Sequence, residues 1–324
     1  MKVAHLADVH LDSAFRLFSP DVARQRRQAI EASLRAAFEE ASDAGVDAVF
    51  IAGDLYEHDR VAPDTGEFLR ALFAQVAPTP VFVAPGNHDW FGPSSLYARL
   101  GWSPNVHVFT ADRLEPFELA EGLTLWGAAH CAPANTDGFL ERFSVDRGGV
   151  NVALFHGSEQ GAFAFQEEGK VPHAPFRADQ IAACGLTHVF SGHFHTPVDA
   201  DTYTYPGNPE PLSFGEPASP TRGLVLVTIG GDGCVERERR MVGQTEVRDV
   251  YLDVTGCASG NDVRQRAAAV LGELTGCVRV TVTGEVAPEV DVSMADIERG
   301  APGALAVLAR VGVLTTAYEI EVVK

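Results

Sequence analysis

The sequence predicts an α/β protein, because short apolar runs typical of buried strands alternate with segments whose apolar residues recur at helical spacing. The most informative run lies within residues 79–90, TPVFVAPGNHDW, where residues 81–84 form a strand that stops at a Pro-Gly pair. Asn87, His88 and Asp89 follow at once on the next loop. Four other apolar strands end in polar residues in the same way, which predicts one shared site at the strand ends.

Each element of the main part of the chain follows from its own local pattern. Apolar runs bounded by glycine, proline or polar residues predict strands at residues 2–7, 47–52, 81–84, 151–155, 187–190, 223–230 and 235–241. Apolar residues at helical spacing predict helices at residues 21–44, 64–76 and 178–184. Between these elements, residues 94–126 predict a short helix and at least two strands.

The C-terminal part predicts a second, smaller α/β unit after a boundary near Gly243. We therefore expect two domains, at residues 1–243 and 244–324. The predicted elements of the second domain are a strand at 249–255, a helix at 261–275, a strand at 277–283, a short helix near 304–311 and a strand at 317–323.

The composition is that of an ordinary globular protein, with 46% apolar and 21% charged residues in a chain of 324. The chain has no run of about 18 apolar residues, so we expect no membrane partner. Its five cysteines are scattered and never spaced as CxxC, and the N-terminus lacks signal-peptide features. These features favour reduced thiols in a cytoplasmic protein. The net charge of -19 predicts weak binding of this chain alone to a polyanion.

Eight polar side chains collect at five predicted strand ends. Residues two apart in an extended segment face the same way, so Asp8 and His10 can reach one ion, as can His193 and His195. The set contains imidazole, carboxylate and one amide oxygen but no thiolate, which favours manganese, iron or zinc over copper. The eight residues are Asp8, His10, Asp54, Asn87, His88, His156, His193 and His195.

In chain order these ends carry the patterns DxH, GD, GNHD, H and GHxH. This order resembles the signature of the calcineurin-like metallophosphoesterases over roughly the first 215 residues. The resemblance implies a four-layer α/β/β/α sandwich, with the second domain as a small capping domain. It also implies two divalent metal ions, manganese first and iron or zinc as alternatives, and in-line attack of a metal-activated hydroxide on a phosphoester.

The resemblance also assigns a role to each side chain. The expected ligands are Asp8, His10 and His195 for one ion, Asn87, His156 and His193 for the other, and Asp54 as a bridge between them. His88 would not be a ligand but a proton donor, or a cation that stabilises the transition state. Asp89 would orient the imidazole of His88 and raise its pKa. With only two carboxylates, the ligand set would keep a net charge of about +2, which suits a hydroxide and an anionic phosphate.

Two further segments resemble the SbcD and YhaO branch of bacterial DNA repair exonucleases. They are HLADVHLDSAF at residues 5–15 and YPGNPEPLSFGE at residues 205–216. The resemblance implies DNA as substrate, an SMC-like ATPase of the SbcC type as partner, and a homodimer. Because the C-terminal domain is acidic, DNA would be held by the partner, by the homodimer or by a few local arginines.

Three functions remain open on the sequence alone. The leading one is a manganese-dependent DNA nuclease. The second is a phosphodiesterase or phosphatase for nucleotides or other small phosphoesters, for which an acidic surface is no obstacle. The third is a non-catalytic scaffold subunit, which is disfavoured because no ligand position is missing.

Overall fold

A computed structural model describes residues 1–135, 137–161, 172–216 and 222–317 of the chain. Its strands are β1 (Lys2–Leu6), β2 (Ala48–Ile51), β3 (Val81–Val83), β4 (Val106–Val108), β5 (Glu115–Ala120), β6 (Leu123–Gly127), β7 (Val150–His156), β8 (His188–Gly192), β9 (Val198–Asp199), β10 (Tyr203–Tyr205), β11 (Gly223–Ile229), β12 (Val235–Met241), β13 (Val247–Asp253), β14 (Cys277–Val286) and β15 (Ala306–Thr316). Its α-helices are α1 (Pro20–Asp43), α2 (Thr65–Gln75), α3 (Leu96–Arg99), α4 (Ala178–Ala183), α5 (Gly260–Leu271) and α6 (Met294–Glu298).

The chain divides into two compact units. The first contains Met1–Phe15, Gln25–Glu210 and a segment that ends at Gln244. The second contains Arg16–Arg24, a segment that begins at Pro211, and the chain from Thr245 onward. The sequence prediction gave the two short segments to the first domain, and the division into domains at residues 1–243 and 244–324 stays a prediction.

Two six-stranded sheets face each other in the first unit. The strand order is β12-β11-β1-β2-β3-β4 in one sheet and β5-β6-β7-β8-β10-β9 in the other. The strands β1 to β4 are parallel, as are β6, β7, β8 and β10. Phe50 and Phe82 from the first sheet pack in one buried cluster with Leu154 and Phe190 from the second. The main core therefore lies between the sheets.

Helices cover the outer faces of this sandwich. Successive residues of β7 face opposite sides, so Leu154 enters the core between the sheets while Phe155 packs with Ile181 of α4. On the other side, α1 and α2 bury their apolar faces, and the ring of Phe38 stacks on that of Phe73 at 5.5 Å between centroids. The four-layer α/β/β/α sandwich predicted from the sequence is confirmed.

The parallel strands bring the site loops to one edge of the sandwich. Leu6 pairs with Ile51, and Ile51 pairs with Val83, so the loops after β1, β2 and β3 leave the sheet side by side. In the second sheet, His156 pairs with Gly192 at the ends of β7 and β8. Carboxyl ends of parallel strands form one crevice, which is where α/β folds place their ligands.

The second unit is a parallel sheet in the order β13-β14-β15, with α5 and α6 packed on one face. The prediction of a helix near residues 304–311 is wrong, because this stretch belongs to β15 and pairs with β14. Val307 and Ala309 face the helices, while Ala306 and Leu308 pack on the opposite side. Residues 304–309 form an apolar run with no polar position, and such a run does not reveal whether its period is that of a strand or a helix.

One predicted strand cannot be compared with the structure, and two observed elements were not predicted. The strand predicted at residues 317–323 falls almost entirely outside the described residues. Strand β10 and helix α6 were not anticipated, although Ser293 is a helix N-cap whose Oγ accepts from the amide of Asp296.

Within the part of the chain that the structure describes, no helix has both the length and the apolar character needed to cross a bilayer.

Candidate metal centre

The loop after β1 places two side chains through unusual backbone geometry. Asp8 and His10 have φ angles of 55° and 53°, in the left-handed region that residues with a Cβ rarely adopt. Their amides donate to the carbonyl oxygens of Gly53 and Asp54, at 3.1 and 2.9 Å. Asp54 has a φ of 52° as well. Such conformations persist where surrounding contacts enforce them, and they cluster at functional sites.

Two glycines let the neighbouring loops approach closely. A Cβ at Gly53 would lie 2.7 Å from the Cα of Gly86 and from Nδ1 of His156. A Cβ at Gly86 would lie 2.3 Å from Oδ1 of Asp54. The φ of Gly53 is 78°, which glycine adopts without steric cost. Any larger residue at either position would push the loops that carry the polar side chains apart.

Three of the predicted ligands for one ion lie together. The ligand atoms of Asp8, His10 and His195 are all within 4.8 Å of one another. The carboxylate of Asp8 is fixed by the backbone amide of His193, which lies 2.9 and 3.1 Å from its two oxygens. Nε2 of His10 is buried and has no hydrogen-bond partner among the residues that the structure describes. A buried nitrogen in that state fits a metal ligand, because leaving it unpaired is otherwise costly.

Asp54 lies between the two predicted ligand groups. Its Oδ2 is 3.2 Å from Nε2 of His156 and 3.6 Å from Nε2 of His10. The ligand atoms of Asp8, Asp54 and His156 also lie within 4.8 Å of one another. A carboxylate between an imidazole of each group has the position that a bridging ligand requires.

The two remaining predicted ligands are His193 and Asn87. The ring centroid of His193 is 5.2 Å from that of His156. Oδ1 of Asn87 is buried, and none of the described residues forms a hydrogen bond with it. Together these histidines, carboxylates and one amide oxygen form a donor set that fits borderline divalent cations such as manganese, iron and zinc.

The buried carboxylates and imidazoles perturb each other strongly. Burial would raise the pKa of Asp54, but the charge and hydrogen bond of His156, with the charge of His10, hold it well below its usual range. Burial opposes protonation of His156, yet Asp54 and Asp8 raise the pKa of His156 to about 9. Burial raises the pKa of Asp8. Buried groups of opposite charge so close together are typical of sites that bind ions or do chemistry.

His88 is held by a residue that the sequence analysis missed. Nδ1 of His88 lies 3.0 Å from Oε2 of Glu57, and the other oxygen of the same carboxylate lies 2.7 Å from Nδ1 of His10. This hydrogen bond, together with the charges of Asp54 and Glu57, raises the pKa of His88 to about 9. These contacts favour the protonated form of the His88 imidazole, whose side chain is 44% exposed.

The predicted role of Asp89 as the residue that orients His88 is wrong. Its carboxylate is fully buried and accepts hydrogen bonds from the backbone amides of Asp54, Leu55 and Gly86 at 3.0, 2.8 and 2.6 Å. The hydroxyl of Tyr97 donates to it at 2.5 Å. Asp89 thus fastens the loop after β3 to the loop after β2. The sequence placed it beside His88, but adjacent residues on a loop need not point the same way.

Two other histidines lie behind the cluster. His130 is buried, and its Nε2 contacts the backbone oxygen of His156 at 2.8 Å. His173 was not singled out, and its ring centroid lies 5.5 Å from that of His193. His130 closely follows the parallel strand β6, so its place at a strand end was a signal that could have found it, whereas His173 follows none of the described strands directly.

Comparison with known proteins identifies the family to which the chain belongs. The family model described as calcineurin-like phosphoesterase matches residues 1–197. The uncharacterized metallophosphoesterase YhaO of Bacillus subtilis is 27% identical over 306 residues, which cover 88% of this chain and 72% of that protein.

Two archaeal relatives share the name DNA double-strand break repair protein Mre11. The protein of Methanopyrus kandleri is 29% identical and covers 93% of this chain and 69% of its own length. The protein of Halobacterium salinarum is also 29% identical, with 91% of this chain and 82% of its own length covered. The family model spans more than half of the chain, and the family hydrolyses phosphoesters with two metal ions. The chain therefore belongs to the calcineurin-like phosphoesterases, and it fits the branch that the sequence patterns predicted.

Proposed function

We propose that the chain is a DNA repair nuclease that hydrolyses phosphodiester bonds with two divalent ions, manganese being the expected metal. The observation that carries this proposal is the position of Asp54 between His10 and His156, with the imidazole of His88 exposed at the edge of the same cluster. The relatives named as DNA double-strand break repair proteins favour DNA over other phosphodiesters.

The side chains would divide the work in a defined way. The ions would be held by Asp8, His10, His195, Asn87, His156, His193 and the bridging Asp54. Bound there, they would supply positive charge for the phosphate and lower the pKa of a water molecule. In-line attack of hydroxide at phosphorus breaks the bond to the leaving oxygen, which keeps the electron pair. The leaving oxygen takes a proton from Nε2 of His88, and the neutral imidazole is reprotonated by water.

DNA binding would need more than this chain's overall charge provides. The net charge of -19 opposes approach of a polyanion, although screening limits its reach to about 8 Å at physiological salt. We infer that the second unit serves as a capping domain, and that an SMC-like ATPase of the SbcC type or a homodimer supplies further contacts. Local arginines of this chain would add to them.

The test is degradation of linear duplex DNA with manganese by the wild type and by two histidine variants. His88→Ala should bind manganese normally and lose most turnover, because the leaving oxygen loses its proton donor. His107→Ala removes a half-buried histidine that contacts Phe82 and Phe117 in the sandwich, and it should keep the wild-type rate. Full activity of His88→Ala would refute the role of His88.

A second candidate is a phosphodiesterase or phosphatase for small phosphoesters, favoured by the same acidic charge. Bis-p-nitrophenyl phosphate and cyclic nucleotides, each with manganese, separate the two functions. Turnover of these small substrates without cleavage of duplex DNA would favour the second candidate. Inactivity on all of them would favour a non-catalytic subunit.

A further inference from the structure

Glu57 contacts two imidazoles that the proposed mechanism uses for different tasks. Its Oε1 lies 2.7 Å from Nδ1 of His10, and its Oε2 lies 3.0 Å from Nδ1 of His88. The two rings meet edge to face, with centroids 4.8 Å apart and planes at 80°. One carboxylate therefore spans a predicted metal ligand and the predicted proton donor.

The backbone holds Glu57 in this position from both sides. Its amide donates to the carbonyl oxygen of Leu11 at 2.9 Å, on the loop that carries His10. The amide of the next residue, His58, donates to the carbonyl oxygen of His88 at 3.0 Å. The side chain of Glu57 and these backbone hydrogen bonds thus connect the loop after β2 to both neighbouring loops. They hold the carboxylate in contact with both imidazoles.

The hydrogen bonds also decide which nitrogen of each ring faces the site. A ring that donates its Nδ1–H to Glu57 presents Nε2 on its far side. For His10 that atom is buried, has no hydrogen-bond partner within the described part of the chain and lies 3.6 Å from Oδ2 of Asp54. Histidine ligands of metals commonly donate their second ring N–H to a carboxylate, which fixes the tautomer and the direction of the ring.

We propose that Glu57 is a positioning residue that couples metal binding to leaving-group protonation, by aiming Nε2 of His10 at an ion and Nε2 of His88 at the leaving oxygen. The part of the proposal that concerns His88 and the leaving oxygen rests on the proposed function. The part that concerns His10 and its ion holds for any substrate. Glu57 itself touches neither the phosphate nor the leaving group.

Glu57→Gln is the sharpest variant, because it keeps the shape of the side chain but leaves one oxygen to accept an N–H. The amide group must then face one of the two imidazoles with its own hydrogen atoms. Glu67→Gln is the matched control, since Glu67 is exposed on α2 and pairs with the exposed Arg70 three residues on. Glu57→Asp keeps the charge, but its side chain is one methylene shorter. Its carboxylate should therefore reach at most one of the two imidazoles.

Two measurements separate positioning from general damage. Calorimetric titration with manganese should show two ions bound, with affinity weakened about 10–100-fold in Glu57→Gln and unchanged in Glu67→Gln. The second measurement is turnover of aryl phosphodiesters whose leaving phenols differ in pKa. Relative to the wild type, turnover by Glu57→Gln should fall little for acidic phenols and strongly for basic ones. Only basic leaving groups need a correctly aimed proton donor.

A third measurement uses the wild type and needs no substrate. In the wild type, NMR of ring-labelled histidine should show two Nδ1–H protons protected from solvent exchange, assigned to His10 and His88. The proposal is overturned if neither proton is protected, or if Glu57→Gln keeps both wild-type metal affinity and wild-type leaving-group dependence. Loss of one whole ion with unchanged leaving-group dependence would make Glu57 a ligand and would also overturn it.

Failure of the proposed function would look different. A wild-type protein that hydrolyses none of the phosphodiesters would contradict the nuclease proposal. The exchange-protected protons and the manganese affinity of Glu57→Gln would still decide whether Glu57 positions His10.

Discussion

Oδ2 of Asp54 lies 3.2 Å from Nε2 of His156, although the two residues come from different sheets. Asp54 follows β2 of the first sheet, and His156 is the last residue of β7 in the second. The cluster can therefore form only when the two sheets pack face to face at the correct separation. Core packing and metal binding depend on each other in this protein.

Replacement of the bridging carboxylate should abolish metal binding. We expect Asp54→Asn to lose measurable affinity for both ions and to reduce phosphodiester hydrolysis by more than about a hundredfold. The reason is that His10 and His156 both lose the charge that lies between them. Elemental analysis of purified protein after manganese loading gives the metal content. Two retained ions in Asp54→Asn would show that Asp54 is not the bridge.

A methyl group at Gly86 should disturb the centre by steric contact with Asp54, the expected bridging ligand. Gly86→Ala places its Cβ 2.3 Å from Oδ1 of Asp54, so the loop or the carboxylate must move. We expect a loss of about 1–3 kcal/mol in unfolding free energy and weaker manganese binding. Gly101→Ala is the control, because no atom of the described residues lies within 4 Å of a Cβ there. Equal behaviour of the two variants would contradict the close approach of the loops.

Asp89 should matter for stability before it matters for chemistry. Asp89→Asn puts an amide group opposite backbone N–H donors of Asp54, Leu55 and Gly86. We expect a loss of about 2–4 kcal/mol in the unfolding free energy of the metal-free protein, measured with urea. Tyr97→Phe removes one donor only and should cost about 1–2 kcal/mol. An Asp89→Asn protein of wild-type stability but altered His88 would restore the role that the sequence suggested.

The buried histidine of β8 should make the fold sensitive to acid. Burial, with a contribution from Arg237, lowers the pKa of His188 to about 3. The unfolded chain takes up that proton near pH 6.5, so stability is complete above this pH and falls as pH decreases toward 3. At pH 5 the loss is about 2 kcal/mol from this residue. His188→Gln lacks the proton uptake, so urea unfolding at pH 7.5 and pH 5 should show a smaller difference than in the wild type. An equal difference would exclude His188 as a source.

The sequence predicted most of the sandwich and its site because both rest on local patterns. Strand β3 ends at Val83, a few residues before Asn87, and such endings can be recognised one by one. Parallel pairing then brings them to one edge without any knowledge of the partners. The assignment of β15 failed because its apolar run has no alternation to reveal a strand.

Glu57 escaped prediction for a different reason. Its importance comes from contacts with His10 and His88, which are 47 and 31 residues away in the chain. Nothing in the sequence DLYEHD distinguishes a glutamate that reaches two imidazoles from one that faces solvent. The same limitation misplaced Asp89, since only the fold shows that its carboxylate turns toward the backbone of Asp54.

The most direct test of a centre built around Asp54 is anomalous diffraction from crystals soaked in manganese. We predict two peaks about 3.5–4 Å apart, with the carboxylate of Asp54 between them. One peak should contact His10 and the other His156. A single peak, or two peaks that Asp54 does not join, would contradict the dinuclear centre.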